Sequence, residues 1–292
     1  MIWQDYKKLY ANALKQYSPK FKKELQNQVN TYCRTLDYNA ISDKAIKKTI
    51  QKLHLAMGVK MAQISSKVVK RSVKGHYEAL EVKSAETDLF AYTILQYLQT
   101  QGLDQLASDI TNTTKEQIRR YLIQSAEQNL TLPETIVLLR GAGITDYRAE
   151  LIARTETGKA ANIGSMTGAV STGLVTMKEW IAAKDNRTRR IPRDQFDHLN
   201  MDGIKIPMDA TFKLQNKKGG FEFMLHPCDP SGSAGDVCNC RCTLGFEAQR
   251  DKNGKLLKLQ DNPPKGNVGR IWGILTNAVG MQIGRLIADL FE

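Results

Sequence analysis

The residues of this chain that could do chemistry crowd into its second half. In the run HPCDPSGSAGDVCNCRC (226–242), Cys238, Cys240 and Cys242 alternate with Asn239 and Arg241, and Cys228 stands a loop earlier. On a strand, alternation would point the three thiols to one face. Thiolates together with an imidazole can hold a tetrahedral Zn²⁺. The donors for such a site are His198, Cys228, Cys238, Cys240 and Cys242. The C-x-C-x-C spacing differs from the C-x-x-C knuckle of common zinc modules. Buried core thiols without metal are therefore the expectation, and zinc is the alternative.

A second set is polar. Asp185, Arg187, Arg189 and His198 could act on a phosphodiester, with the imidazole as general acid–base and the arginines as an anion clamp. The competing reading is structural. Asp185 and the arginines would tie down a turn, and His198 would satisfy a buried loop carbonyl. No Ser–His–Asp order, phosphate-cradling loop or H-E-x-x-H helix accompanies the set. The structural reading is preferred, and no residue is assigned as catalytic.

Bulk properties narrow the classes. The chain has 292 residues, 41% of them hydrophobic, enough to bury a core in one large domain or two ordinary ones. Its net charge of +12 is uneven: residues 1–80 hold 16 basic and 5 acidic side chains, and the remainder is nearly balanced. Such asymmetry fits a polyanionic partner, either nucleic acid or an acidic protein surface. The start carries charges too early for a secretory signal. The longest apolar stretch, IWGILTNAVGMQIG (271–284), is too short to span a membrane. A reducing cytoplasm is expected, so the five cysteines are not read as a disulfide framework.

The elements that must position these residues read as mostly helical. Ser18-Pro19 opens a helix with Phe21, Leu25, Val29, Tyr32 and Leu36 on one face. Ser42 caps a second, whose stripe runs from Ile46 to Val68 and which Gly75 ends. Both stripes are narrow and the other faces are Lys-rich, which predicts an extended basic arm. Helices follow at 85–102, from the capping boxes at Thr113 and Thr131, and at 146–172. The last carries Ala149, Ala153, Ala160, Ala161, Gly164 and Gly168. Small residues at that density admit another backbone, so this helix is expected to be central.

Beyond Gly173 come a strand from Val175 to Ala182 around Trp180, a polar turn at 185–188, and short strands near Phe212, at 221–224 and at 240–244. Residues 251–266 read as a linker and 267–291 as a final helix with two G-x-x-x-G spacings. The fold class is thus α+β: a basic helical arm (1–84), a module of helices then a small irregular sheet (85–248), and a linker with a C-terminal helix (249–292).

Four motifs stand in fixed order: DYRAELIARTET (146–157), KEWIAAKDNRTR (178–189), DHLNMDG (197–203) and the cysteine run. Together they resemble the Mu F-like family of minor head proteins of tailed bacteriophages. The match rests on Arg148, Thr155 and Glu156 in the first motif and on Trp180, Asp185, Arg187 and Arg189 in the second. It continues through His198, Asp202 and Gly203 and ends on Asp229, Cys240, Arg241 and Cys242. The chain departs from the pattern at Cys228, where the family has glycine, and at Cys238, where an aliphatic residue is common.

The resemblance implies a minor structural head protein of a phage or prophage, not an enzyme and without a cofactor. Its implied partners are the phage portal protein and the capsid or scaffold; the positive surplus of the N-terminal part adds DNA, reached through residues 1–75. Its implied place is the virion, in the head interior or at the portal vertex, after assembly in the host cytoplasm. The alternatives are a nucleic-acid-processing enzyme built on His198, Arg187, Arg189 and Asp185, and a zinc-dependent binding module built on the cysteines.

Overall fold

Small side chains decide what lies at the centre. The computed structural model describes residues 2–73, 85–143 and 145–277. Helix α6 (Asp146–Val170) is buried through nearly all of its second half. Helix α2 (Lys44–Ser72) crosses it at backbone contact. A Cβ on Gly164 would lie 2.1 Å from the Gly58 carbonyl oxygen, and one on Gly168 would lie 2.0 Å from that of Ala62. Only glycine allows so close an approach.

Helix α1 (Ile2–Thr35) packs on both α2 and α6. Its Tyr6, Tyr17 and Phe21 share one core with Ile46, Ile50 and Leu53 of α2. The Tyr17 hydroxyl donates to the Lys52 carbonyl at 3.0 Å. The first two helices are therefore long, but they do not stand out as an arm. The narrow stripes are the seam they bury, and their lysines, including Lys7, Lys23, Lys48, Lys60 and Lys67, remain exposed on the outside. Nor does a helix open at Ser18, for Pro19 lies inside α1. Its missing N–H is tolerated because Tyr17, Phe21 and Leu25 are anchored around it in the core.

Three helices precede α6: α3 (Ala85–Thr100), α4 (Leu103–Glu127) and α5 (Leu132–Gly141). The capping box expected at Thr113 is absent. That residue sits within α4 and donates its hydroxyl to the Asp109 carbonyl at 2.8 Å. The second box is present, with the Thr131 N–H donating to the Glu134 carboxylate at 2.7 Å. A smaller core of Val29, Tyr32, Ile118 and Leu139 joins the end of α1 to α4 and α5.

A three-stranded antiparallel sheet comes next, in the order β2 (Lys205–Pro207), β1 (Thr176–Ile181), β5 (Thr243–Ala248). Strands β3 (Phe212–Gln215) and β4 (Phe221–Met224) form a separate hairpin. The single-turn helix α7 (Ala234–Val237) precedes β5. The closing strand thus begins after the cysteines, not at Cys240. Asn239 takes a left-handed backbone (φ 60°), which breaks the expected alternation.

Residues 251–266 are not a free linker. Leu257 N–H bonds to Gln249 O and Leu259 N–H to Gly173 O, so the segment folds back on the body. Helix α8 (Gly266–Asn277) buries Val268, Ile271 and Leu275. Gly75, Gly280 and Gly284 lie outside the described residues. No helix among the described residues is long and apolar enough to cross a membrane.

The close crossing is testable with paired glycine substitutions. Gly164→Ala should destabilise the protein by about 1–3 kcal/mol or more in denaturant unfolding, because backbone must move. A Cβ on Gly273 in α8 meets nothing within 4 Å among the described residues. Gly273→Ala should therefore be neutral or stabilising by up to about 1 kcal/mol. Equal effects at the two sites would contradict the crossing.

Candidate functional site

Alternation along β1 turns Thr176, Lys178 and Trp180 inward. Trp180 is fully buried and meets His198 and Phe212 edge-on, with ring centres 5.3 and 5.2 Å away. The loop between β1 and β2 carries His198 and is pinned along its length. Asp202 accepts from the Ala182 N–H at 2.9 Å and pairs with Lys184 at 2.6 Å. Gly203, at φ 79°, turns the chain so that its N–H reaches the Trp180 carbonyl. Asp185 accepts from the Arg187 N–H at 2.9 Å and takes both arms of the Arg241 guanidinium.

His198 is 1% exposed. Its Nε2 pairs with the buried Asp236 carboxylate, not with a loop carbonyl as the sequence leads one to expect. A carboxylate is the stronger partner for a buried imidazole. Its Nδ1 faces two sulfurs, Cys240 Sγ at 3.5 Å and Cys242 Sγ at 3.7 Å. The Cys228 thiol lies against Cys240 and is directed at its carbonyl at 3.5 Å. Burial acts to lower the His198 pKa, but Cys240 and Asp236 outweigh it and hold it at about 9.

The two residue sets read from the sequence therefore come apart. Of the five zinc candidates, four gather under the β1–β2 loop. Cys238 does not: it is half-buried, and its carbonyl accepts from the Arg189 guanidinium at 2.5 Å. Of the four polar candidates, His198 is sealed inside, and Asp185 is engaged by Arg241. Arg187 and Arg189 instead join Arg154, Arg241, Asp194 and Asn239 around a cleft of about 230 Å³. Four guanidinium groups around one cleft can hold an anion.

The remaining motif residues act as struts. Arg148 donates to Thr114, Gln117 and the Ile110 carbonyl, which ties α6 to α4. Thr155 Oγ1 accepts from the Asn239 N–H at 3.2 Å. Asp229 accepts from the N–H groups of Leu225 and Ser231 and so shapes the turn before α7. Glu156 is buried between His54 at 3.1 Å and Lys159 at 2.8 Å. Burial alone would raise its pKa; Lys159 and His54 outweigh that and hold it at about 2. This trio, with Tyr97 and His226, borders a cavity of about 360 Å³ between the helices.

Sequence reading missed His54, Lys159, Lys178 and Asp236. Strand alternation with Trp180 could have found Lys178, and i,i+3 spacing could have paired Lys159 with Glu156. Nothing local ties His54 to Glu156 or Asp236 to His198, which lie 102 and 38 residues apart.

Lys178 gives a test of this interior. It is fully buried, donates to the Leu225 carbonyl at 2.7 Å and stands 5.4 Å from the Phe212 ring centre. Burial pushes its pKa down to about 7 against the pull of Asp229 and Asp209. The unfolded chain keeps this proton to about pH 10.4. Between pH 7 and that value the unfolded state binds more protons, so stability from this group rises with pH. Denaturant unfolding across pH 7–9 should show that Lys178→Met removes part of the rise. Identical slopes for the two proteins would place the amine in water.

No curated protein and no solved structure matches the chain. Residues 102–245 match the family described as Phage Mu protein F like protein. The matched segment contains all four motifs, from the α6 helix to the start of β5. Over residues 102–245, just under half of its length, this chain is similar to the Phage Mu protein F like family.

Proposed function

We propose that this chain is a minor structural head protein of a tailed bacteriophage or prophage. In this reading it joins the portal and the capsid or scaffold while the head is built in the host cytoplasm, and it stays in the virion. What carries the reading, beside the family match, is how the motif residues are used. Arg148, Thr155, Asp202 and Asp229 hold elements to one another, and Asp185 with Arg241 locks the polar turn to the cysteine segment. His198, the one imidazole in the polar set, is sealed from solvent and paired with Asp236. A general base must reach its substrate's proton, so this arrangement favours assembly over turnover.

The outer faces of α1 and α2 favour DNA as a further contact. Their exposed lysines form a basic face on the body of the protein, and lysines that neutralise phosphates release counterions. Binding of this kind has no sequence preference.

Mass spectrometry of purified virions and procapsids should find this protein together with the portal; its absence from both would refute the reading. Purified protein should bind duplex DNA of unrelated sequences equally, with affinity falling steeply as salt rises. Charge-reversing substitutions at Lys7, Lys23, Lys48 and Lys60 should weaken it. Salt-independent binding, or binding unchanged by those substitutions, would remove DNA as the partner of this face.

A further inference from the structure

We propose that His198, Cys240 and Cys242 bind a zinc ion, with Cys228 as the fourth ligand. The three donor atoms Nδ1, Sγ and Sγ all lie within 4.8 Å of one another, and all three residues are buried. A tetrahedral zinc with Zn–S about 2.3 Å and Zn–N about 2.0–2.1 Å sets its sulfur and nitrogen ligands about 3.6 Å apart. The observed separations from Nδ1, 3.5 Å to Cys240 and 3.7 Å to Cys242, bracket that value. One thiol could reach this spacing as an S–H···N hydrogen bond, but Nδ1 has a single lone pair and two sulfurs converge on it, which a shared metal ion accounts for.

The far side of the ring gives a second, independent indication. A metal-bound histidine characteristically donates its other ring N–H to a carboxylate, which fixes the tautomer and turns the free nitrogen to the metal. His198 places Nε2 on Asp236 and Nδ1 on the sulfurs. Asp236 is fully buried, and its Oδ2 has no hydrogen-bond partner among the described residues. Burying a carboxylate against a neutral imidazole is costly. A zinc ion on Nδ1 supplies the positive charge that this buried carboxylate otherwise faces only through a proton.

Cys228 is the donor best placed to close the site. Its thiol contacts Cys240 but lies outside the tight three-atom group, so it completes the tetrahedron by moving onto the metal. Space for that sulfur comes from α6, where a Cβ on Gly158 would sit 2.6 Å from Cys228 Sγ. Cys238 is excluded, because it is half-buried and lines a different pocket, beside Thr155 and Lys159, outside the His198 group. The spacing C-x-C-x-C does not advertise this set, since the left-handed turn at Asn239 brings Cys240 and Cys242 onto His198 without a strand. The ion would join the β1–β2 loop, the turn after β4 and the segment before β5, the last of which carries Arg241.

The test uses the full-length, reduced protein purified without added metal. Elemental analysis should find about one zinc per chain. Cobalt titrated into chelator-stripped protein should give the visible bands of a tetrahedral site and a thiolate charge-transfer band. Zinc should be lost in Cys242→Ser and His198→Ala, most of the affinity should go in Cys228→Ser, and Cys238→Ser should keep it. Asp236→Asn should weaken binding about 10–100-fold. If the ligand variants fail to fold, the wild-type protein still decides: chelator should lower its melting temperature on the order of 10 °C, reversed by zinc. Reduced wild-type protein that takes up neither zinc nor cobalt would overturn the site. So would zinc retained at full affinity by Cys242→Ser. Unchanged affinity in Cys228→Ser, or loss of zinc in Cys238→Ser, would overturn the ligand assignment.

Discussion

Two helices of this protein touch through their backbones, and that contact governs how the other elements pack. At the α2–α6 crossing, Gly164 and Gly168 face the carbonyls of Gly58 and Ala62 with no room for a side chain. Close approach brings many atoms into dispersion range at once. It also fixes which faces of both helices remain to be covered. α1 covers one, the β1–β5 pair with its cysteine segment covers another, and α3 and α8 cover a third. Because α6 carries the first family motif, the crossing sets where Arg148, Thr155 and Glu156 point, and thus what the later motifs can meet.

The later motifs are arranged in layers around that helix. Nearest to it lie Cys228 and Cys240, over Gly158, with Asn162 donating to the Pro227 and Cys242 carbonyls. Next comes His198, held between the sulfurs, Asp236 and the edge of Trp180. Outermost are the arginines, where Arg241 is fastened by Asp185 and Arg189 by the Cys238 carbonyl. Chain segments far apart in sequence thus share one support. Arg241 stands in the chain between Cys240 and Cys242, so the outer and inner layers share one short segment.

What the sequence revealed, and what it concealed, depends on the range of the interactions. Local signals were legible: the Thr131 capping box, the turn at Asp185, the β1 strand around Trp180, and the density of small residues in α6. The central place of α6 could be read from that density, because only small side chains permit backbone contact. The packing of α1 and α2 was not legible. A narrow apolar stripe buries equally well in a projecting hairpin or against a third helix. Only the partner glycines, far along the chain in α6, decide it. The site was half legible. Residue types gave His198 and the cysteines, but one left-handed residue, Asn239, turned a supposed strand into a turn. Asp236 and His54 had no local mark at all, since their partners are brought to them by the fold.

Helices α1, α2 and α6 thus form one cooperative core rather than a body with an attached arm. Native-state hydrogen exchange on the full-length protein can decide this, through the amides of residues 53–61 in α2 and 160–168 in α6. If the two helices depend on one crossing, both sets should open in the same global step, with equal free energies and equal denaturant dependence. Exchange of the α1 and α2 amides in a separate step of much lower free energy, with α6 still protected, would show that the first two helices are an arm after all.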